Sequence, residues 1–419
     1  MNVAVVNLGC KVNRVESDTI AASYLEQGHS LSDVADADMV VVNTCTVTEE
    51  ADKKTRKTIR RVLRQNLQAP VLVTGCAAVI EPDFYREVDH RIVVVDKQDL
   101  LDQSAHGETL TNPQDTQPAF LRVGRNFPTR VAVKVQDGCN HSCSYCIVHV
   151  ARGKAWSRPA QTISDEILQL AQHGVKEIVL SGIDLGSYSY LDESKSKRWS
   201  LTALVRELLG MLKVQGLSDV RLRISSIEPR SVRDDFVELL AQSEGRICRH
   251  LHLPLQAGSN KVLREMNRPY TADAYEALVS TLKEKVPGIS LTTDIIVGFP
   301  GETEQEFQET CDLARRVGFT KIHVFRYSKR QGTPAAERTD QIESSVKEDR
   351  AHRLIQLSDE LRAAYILEQH NRLERIIVEK EGWGMSESYY KVKVPTNVAP
   401  GSSLSVTLQT INSEGVVAL

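Results

Sequence analysis

The chain is predicted to be an α/β protein ending in a small β-rich module, and three observations carry that prediction. Over the first hundred residues, short continuous apolar runs alternate with amphipathic stretches, the pattern of a parallel sheet covered on both faces. The same alternation resumes between about residues 130 and 335. Beyond residue 374 it gives way to short apolar runs punctuated by Gly, Pro, Asn and Ser, which read as strands of an all-β module.

Taken in order, the first strands are Val3–Val6, Met39–Val42, Val71–Val73 and Ile92–Val95, with helices expected at Glu16–Gln27 and Thr48–Asn66. Three of these strands run straight into a cysteine: Asn7-Leu-Gly-Cys10, Asn43-Thr-Cys45 and Thr74-Gly-Cys76. The carboxyl ends of parallel strands share one edge, where ligands bind, so three thiols distant in sequence are expected to converge there. A three-thiolate cluster is favoured over three ordinary buried cysteines, with zinc as the alternative metal. The helix after Cys45 carries Lys53, Lys54, Arg56, Lys57, Arg60, Arg61 and Arg64, with acids confined to its first turn (Glu49, Glu50, Asp52). Such a run is either a solvated face or a phosphate-binding one. The first domain is placed at 1–105, and the polar stretch with Pro113 and Pro118 gives a linker at 106–128.

In the central domain, 129–345, the expected strands are Val131–Val135, Glu177–Leu180, Arg221–Ile224, His250–Leu253, Ser290–Val297 and Lys321–Phe325. Six βα units fit a partial barrel, whose reactive groups sit on loops after the strands. A charged helical connector follows at 346–373, and the β module occupies 374–419 with runs at Ile376–Val378, Tyr389–Val394, Leu404–Leu408 and Val416–Leu419. Tyr389 and Tyr390 are read as core or cross-strand packing rather than base-stacking groups.

Composition bounds the function. The chain has 419 residues, a net charge of -3 and eight cysteines. That length predicts two or three domains, and the charge excludes a global basic coat for nucleic acid. No apolar run reaches membrane-spanning length. The start, ending in Leu8-Gly-Cys10, lacks the basic region of a lipoprotein signal. Cysteines this sparse suit metal binding or catalysis inside the cell, so a cytoplasmic location is expected; a monomer is expected as well.

The strongest motif is Cys139-x3-Cys143-x2-Cys146, immediately after the first barrel strand. Structural zinc sites use four ligands, and no fourth cysteine follows nearby. A [4Fe-4S] cluster on three thiolates keeps one iron open to an outside ligand. Cys248 and Cys311 fall outside both triads and read as buried hydrophobes. The histidines, His141 included, lack ligand spacing and read as structural or solvated.

With Tyr145 before its last thiol, this motif resembles the radical S-adenosylmethionine (SAM) signature. Together with the upstream cysteines and the β-rich tail, the chain resembles the radical SAM methylthiotransferase family over essentially its whole length. Further matches are Ala151-Arg-Gly153, Ser157-Arg-Pro159, Ser225-Ser-Ile-Glu-Pro229, His252-Leu-Pro-Leu-Gln-Ala-Gly-Ser259, Met266-Asn-Arg-Pro-Tyr270, Asp294-Ile-Ile-Val-Gly-Phe-Pro-Gly-Glu302, Tyr327-Ser328 and Gly332-Thr333. Leu8-Gly-Cys-Lys-Val-Asn13 is similar to the branch acting on N6-threonylcarbamoyladenosine (t6A) in tRNA. His149 departs from the family, where many relatives have Pro after the last thiol.

The resemblance implies a cluster domain, a radical SAM partial (βα)6 barrel and a C-terminal TRAM domain. It implies two [4Fe-4S] clusters, one on Cys139, Cys143 and Cys146 with SAM on its open iron, and an auxiliary one on Cys10, Cys45 and Cys76. For SAM the candidates are Tyr145 at the adenine, Gly182 and Asp184 at the amino acid end, Ser225 and Glu228 at the ribose, and Gln256 and Gly298. No side chain is assigned as a catalytic acid or base, since replacing an unactivated C–H needs none. The expected partners are the tRNA anticodon loop, whose bases are readily splayed out, and an electron donor such as flavodoxin or ferredoxin. The basic helix, Arg152 and Arg158 are the RNA candidates, the two arginines facing either SAM or phosphate. Kept beside this reading are a methylthiotransferase acting on isopentenyladenosine or on a ribosomal protein, and a zinc-stabilised RNA-binding protein without catalysis.

Overall fold

The computed structural model describes residues 1–102, 129–192, 194, 196–412 and 415–418, so the linker expected at 106–128 lies outside the described residues. The described residues group into two compact units: the first takes the N-terminal part with Gly138–Asn140 and Cys146–Lys154, and the second takes the remainder.

In the first unit the elements are β1 (Asn2–Asn7), α1 (Lys11–Glu26), β2 (Ser30–Leu31), β3 (Met39–Thr44), α2 (Glu49–Gln65), β4 (Val71–Gly75), α3 (Cys76–Ile80), α4 (Pro82–Val88), β5 (Ile92–Val94) and α5 (Lys97–Asp102). The sheet is parallel throughout, in the order β2-β1-β3-β4-β5. Successive strand residues serve opposite faces. Val40, Val42, Val71 and Val73 pack with Ile59 and Val62 of α2, while Val3 and Val41 pack with Ile20 and Tyr24 of α1. Both faces are therefore covered, which is why the strands read as continuous apolar runs. Helix α2 matches its expected span, with the Thr48 hydroxyl accepting from the Ala51 N–H at 3.1 Å. Helix α1 begins at Lys11, five residues before the expected start, because its first turns bury polar Asn13, Glu16 and Ser17. A hydrophobic pattern cannot reveal a helix face that buries polar groups.

The second unit begins with β6 (Arg130–Lys134) and β7 (Gln136–Asp137); α6 (Val148–Arg152) lies in the segment assigned to the first unit. Then follow β8 (Trp156–Ser157), α7 (Ala160–Gln172), β9 (Glu177–Ser181), β10 (Ser189–Leu191), β11 (Arg198–Ser200), α8 (Leu201–Val214), β12 (Arg221–Ile224) and α9 (Asp234–Gln242). The barrel continues with β13 (His250–His252), α10 (Asn260–Glu265), α11 (Ala272–Lys285), β14 (Ser290–Val297), α12 (Glu304–Val317), β15 (Lys321–Arg326), α13 (Pro334–Glu337) and α14 (Ser344–Glu368). Two three-stranded parallel ladders, β6-β9-β12 and β13-β14-β15, are joined by the bridges Leu222↔Ile247 and Ser226↔His252. This is the expected six-stranded partial barrel. Helix α14 is more than a connector. Its Ser358 hydroxyl accepts the Ile322 N–H of β15 at 3.0 Å, and its buried Arg350 pairs with Glu302 at 2.8 Å, so it walls the barrel's last strand.

The tail forms a closed five-stranded barrel of β16 (Leu373–Lys380), β17 (Trp383–Ser386), β18 (Lys391–Lys393), β19 (Ser403–Asn412) and β20 (Gly415–Ala418). Its core of Ile376, Val378, Tyr390, Val392 and Leu408 receives Tyr365 and Ile366 from α14. Strand β17, Trp-Gly-Met-Ser, carries no β-branched residue, and the expected strands do not include it. The small barrel is seated at the amino-terminal ends of β9 and β12. Arg221 bonds Glu177 (2.7 Å) and the Arg375 and Met385 carbonyls, and Arg223 bonds Glu177 (2.5 Å) and the Ser386 and Glu387 carbonyls.

Candidate functional site

Strands β1, β3 and β4 are neighbours in the sheet, so the loops that leave them carry Cys10, Cys45 and Cys76 to one edge. Cys10 occupies the N-cap of α1 with its thiol 3.6 Å from Asn13 Oδ1, and it is exposed; Cys45 and Cys76 are buried. Two glycines enforce the close approach. Gly9 has φ +116°, and a Cβ there would lie 2.8 Å from Cys45 Cβ and 3.1 Å from its sulfur. Gly75, with φ +91°, leaves no room either, since a Cβ would fall 2.4 Å from Asn43 Oδ1. Asn13 ties the loops together by donating to the Leu8 and Thr44 carbonyls, each at 2.9 Å. Burial pushes the Cys45 and Cys76 thiols up; neighbouring thiols raise them further, and Arg152 pulls both down. Three thiols at one sheet edge beside a buried cation fit the three-thiolate cluster expected here.

In the second cysteine loop the sulfurs receive hydrogen bonds of the kind that hold cluster thiolates. The Val148 N–H reaches Cys146 Sγ at 3.4 Å, and Arg268 Nη1 reaches Cys143 Sγ at 3.1 Å. The segment around Cys143 is pinned by the turn after α10. Ser144 donates its N–H to the Met266 carbonyl (3.1 Å) and its hydroxyl to that of Glu265 (2.7 Å), while Asn267 Nδ2 donates to the Ser142 carbonyl (2.8 Å).

The SAM candidates follow the strands as expected, with Gly182 and Asp184 after β9, Ser225 and Glu228 after β12, Gln256 after β13 and Gly298 after β14. Asp184 is nearly buried, takes its backbone N–H to Gln136 Oε1 (2.8 Å), and meets His141 Nε2 at 3.2 Å, so the Asp184 carboxylate holds the imidazole's pKa up. Arg268 bridges the Cys143 sulfur to the Glu228 carboxylate. Burial raises the pKa of Glu228, and Arg268 and His141 oppose it. Ser225 Oγ and Glu228 Oε1 are buried with no protein hydrogen-bond partner among the described residues. Orphaned polar atoms just after a parallel strand fit a ligand with hydroxyl groups. Gln256 stands at φ +68°, a left-handed conformation uncommon for its type, and brackets β14 through Asp294 and Ile296. The Gly298 N–H is held by Glu302 at 2.7 Å, whose pKa burial pushes up to about 7 against the opposing Gly298 and Arg350 contacts. Tyr145 is half-buried within Arg268's electrostatic reach.

Residues 133–314 match the Radical SAM superfamily, and residues 2–96 match Uncharacterized protein family UPF0004. The threonylcarbamoyladenosine tRNA methylthiotransferase MtaB of Bacillus subtilis is 40% identical over 391 residues, which cover 90% of this chain and 85% of the relative. The chain belongs to the radical SAM tRNA methylthiotransferases. Within that family the tRNA-2-methylthio-N(6)-dimethylallyladenosine synthase of Carboxydothermus hydrogenoformans is 35% identical, covering 90% of this chain and 87% of its own. Among solved structures, the radical SAM methyltransferase TsrM from Kitasatospora setae superposes with a TM-score of 0.56 at 17% identity, covering 80% of this chain and 77% of that one, a likeness of fold. Superfamily membership implies SAM and a [4Fe-4S] cluster.

The RNA candidates of this methylthiotransferase separate into two groups. On α2, Lys53, Lys54, Lys57, Arg60, Arg61 and Arg64 are exposed, whereas Arg56 pairs with Glu81 at 2.8 Å and lies over Phe84. Arg158 is engaged internally by Glu166 and the Lys134 carbonyl. The Arg152 side chain is 2% exposed and pairs with Glu16 at 3.0 Å. Sequence reasoning also passed over Arg268 and a cluster formed by His252, Asp294 and His323, whose ligand atoms all lie within 4.8 Å of one another. The available signal was their common phase on consecutive strands: the ladder sets Asp294 opposite His323 and His252 opposite Thr292, so all three side chains share one sheet face. No described helix is long and apolar enough to cross a membrane.

Proposed function

We propose that this chain inserts a methylthio group at C2 of N6-threonylcarbamoyladenosine beside the tRNA anticodon, using two [4Fe-4S] clusters and SAM. The observation that carries the reading is the convergence of Cys10, Cys45 and Cys76 at one sheet edge, in addition to the Cys139–Cys146 loop. A simpler radical SAM enzyme needs only the second triad. The t6A substrate is supported by the Leu8–Asn13 loop and by the 40% identical relative of that name. The 35% identical dimethylallyladenosine synthase keeps the isopentenyl substrate as the second reading.

Cys139, Cys143 and Cys146 hold one cluster and Cys10, Cys45 and Cys76 the other. When bound, the clusters and SAM supply the one-electron chemistry that replaces an unactivated C–H. The chain's own residues bind and orient. Gly182 and Asp184 receive the amino acid end of SAM, Ser225 Oγ and Glu228 Oε1 its ribose, Tyr145 its adenine, with Gln256 and Gly298 alongside. Arg268 holds Glu228 in position while donating to the Cys143 sulfur. The exposed cations of α2 take tRNA phosphates. The divisions 1–105, 129–345 and 374–419 serve as auxiliary-cluster, radical SAM and TRAM domains of a cytoplasmic monomer reduced by flavodoxin or ferredoxin.

Nucleoside profiling of tRNA from a strain lacking this chain tests the reading. Loss of 2-methylthio-t6A, restored by the wild-type chain, is expected; an unchanged profile sinks it, and loss of the isopentenyl derivative instead selects the second substrate. In vitro, Cys10→Ala is expected to leave SAM cleavage measurable and to abolish sulfur insertion.

A further inference from the structure

Arg152 is buried in the first unit, a few residues beyond Cys146 in the chain. Its Nη1 donates to Glu16 Oε1 at 3.0 Å, its Nη2 to Glu16 Oε2 at 3.3 Å and to Asn13 Oδ1, and it also hydrogen-bonds the Cys76 sulfur. Glu16 is 1% exposed and receives a second cation, Lys97, at 2.9 Å. Asn13 in turn accepts from the Cys10 thiol and holds the loops that carry Cys10 and Cys45.

Burying the Arg152 and Glu16 charges, with half-buried Lys97 beside them, is costly unless they serve as a set. Arg152 and Lys97 together outweigh Glu16 by one positive charge. An oxidised [4Fe-4S] core on three thiolates carries one net negative charge, so the group balances what the three sulfurs would hold. A guanidinium presents several donors in a fixed plane, which lets one side chain meet a sulfur, a carboxylate and an amide oxygen together. With 2% of its side chain exposed, Arg152 has no surface left for RNA.

We infer that Arg152 is a positioning residue of the auxiliary cluster, supplying with Lys97 the buried positive charge, set against Glu16, that tunes the potential of a cluster on Cys10, Cys45 and Cys76. The inference rests on the proposal that these thiols hold a second cluster, and the experiment separates the two.

The test uses the full chain, purified anaerobically, carrying Cys139→Ala, Cys143→Ala and Cys146→Ala so that only the auxiliary cluster remains. Iron content is measured first, then the cluster's midpoint potential by spectroscopically monitored titration. Adding Arg152→Met removes a cation and is expected to lower the reduced-to-oxidised ratio at fixed potential about tenfold, equivalent to about 59 mV for one electron. Adding Glu16→Gln removes the opposing anion and is expected to shift the ratio the other way; Arg152→Lys should restore most of the wild-type value. Opposite shifts at retained iron are not the signature of a packing role. An unchanged potential in both variants, or a shift of one sign in both, overturns the inference alone. An iron-free parent overturns the second-cluster reading and the inference with it. If Arg152→Met fails to fold, the direction of the Glu16→Gln shift decides.

Discussion

The two ends of the radical SAM barrel are built from the same strands and have opposite character. At the amino-terminal ends of β9 and β12, Glu177, Arg221 and Arg223 are nearly or fully buried, and they bond one another and four backbone carbonyls of the small barrel. At the carboxyl ends, Ser225 Oγ and Glu228 Oε1 are buried without partners among the described residues, and Gln256 holds a left-handed backbone. At the first end Glu177 and its two arginines satisfy one another and serve stability. The other leaves two polar atoms unsatisfied by the described residues, at some cost in stability, as expected of a ligand-binding end.

Breaking the satisfied end should have the largest effect. Glu177→Ala leaves two buried guanidinium groups uncompensated and is expected to cost about 3–5 kcal/mol, read as a lower urea midpoint. A loss under about 1 kcal/mol would show that the clasp is not a stability element.

Acid sharpens the same contrast. Burial alone would raise the Glu177 pKa, but Arg223, Arg221 and Arg130 outweigh it and hold it down at about 2, against 4.5 unperturbed. Because the folded value is depressed, the carboxylate's contribution is complete above 4.5 and is lost as pH falls through about 2. At most about 3 kcal/mol is at stake over that window. The measurement is the difference in unfolding free energy between wild type and Glu177→Gln from pH 5 to 2; a constant difference would contradict it.

The smallest stability effect is expected at the ligand end. Ser225→Ala removes an unpartnered hydroxyl and should leave the urea midpoint unchanged or slightly raised, while SAM affinity falls about 2–10-fold as one hydrogen bond is lost. Unchanged SAM binding in calorimetry would remove Ser225 from the cofactor site.

Local pattern decided what could be read early. Val40–Val42 and Val71–Val73 announce covered parallel strands because both faces of each strand are apolar. The edge shared by Cys10, Cys45 and Cys76 follows from parallel topology alone, since such strands end on the same side. By contrast, the polar pattern leaves Asn13 outside the expected helix and does not mark Glu16 as buried, although both are 1% exposed. His252, Asp294 and His323 come from three strands with no helical or loop spacing to link them. Helix α14 reads as a charged connector because its apolar residues are sparse among charges, yet it buries Ala351, Leu354 and Leu357 and its Ser358 hydroxyl accepts the Ile322 N–H of β15.

By itself, then, the amino-acid sequence determined the α/β order, the two cysteine triads and the family, because apolar periodicity and short spacings are properties of neighbouring residues. Only the tertiary structure decided which charges are buried and with whom: Arg152 with Glu16, Arg268 between Cys143 and Glu228, Glu177 beneath the small barrel. A buried charge is tolerated only where partners from distant segments meet it, and those meetings are fixed by topology, not by adjacency in the chain.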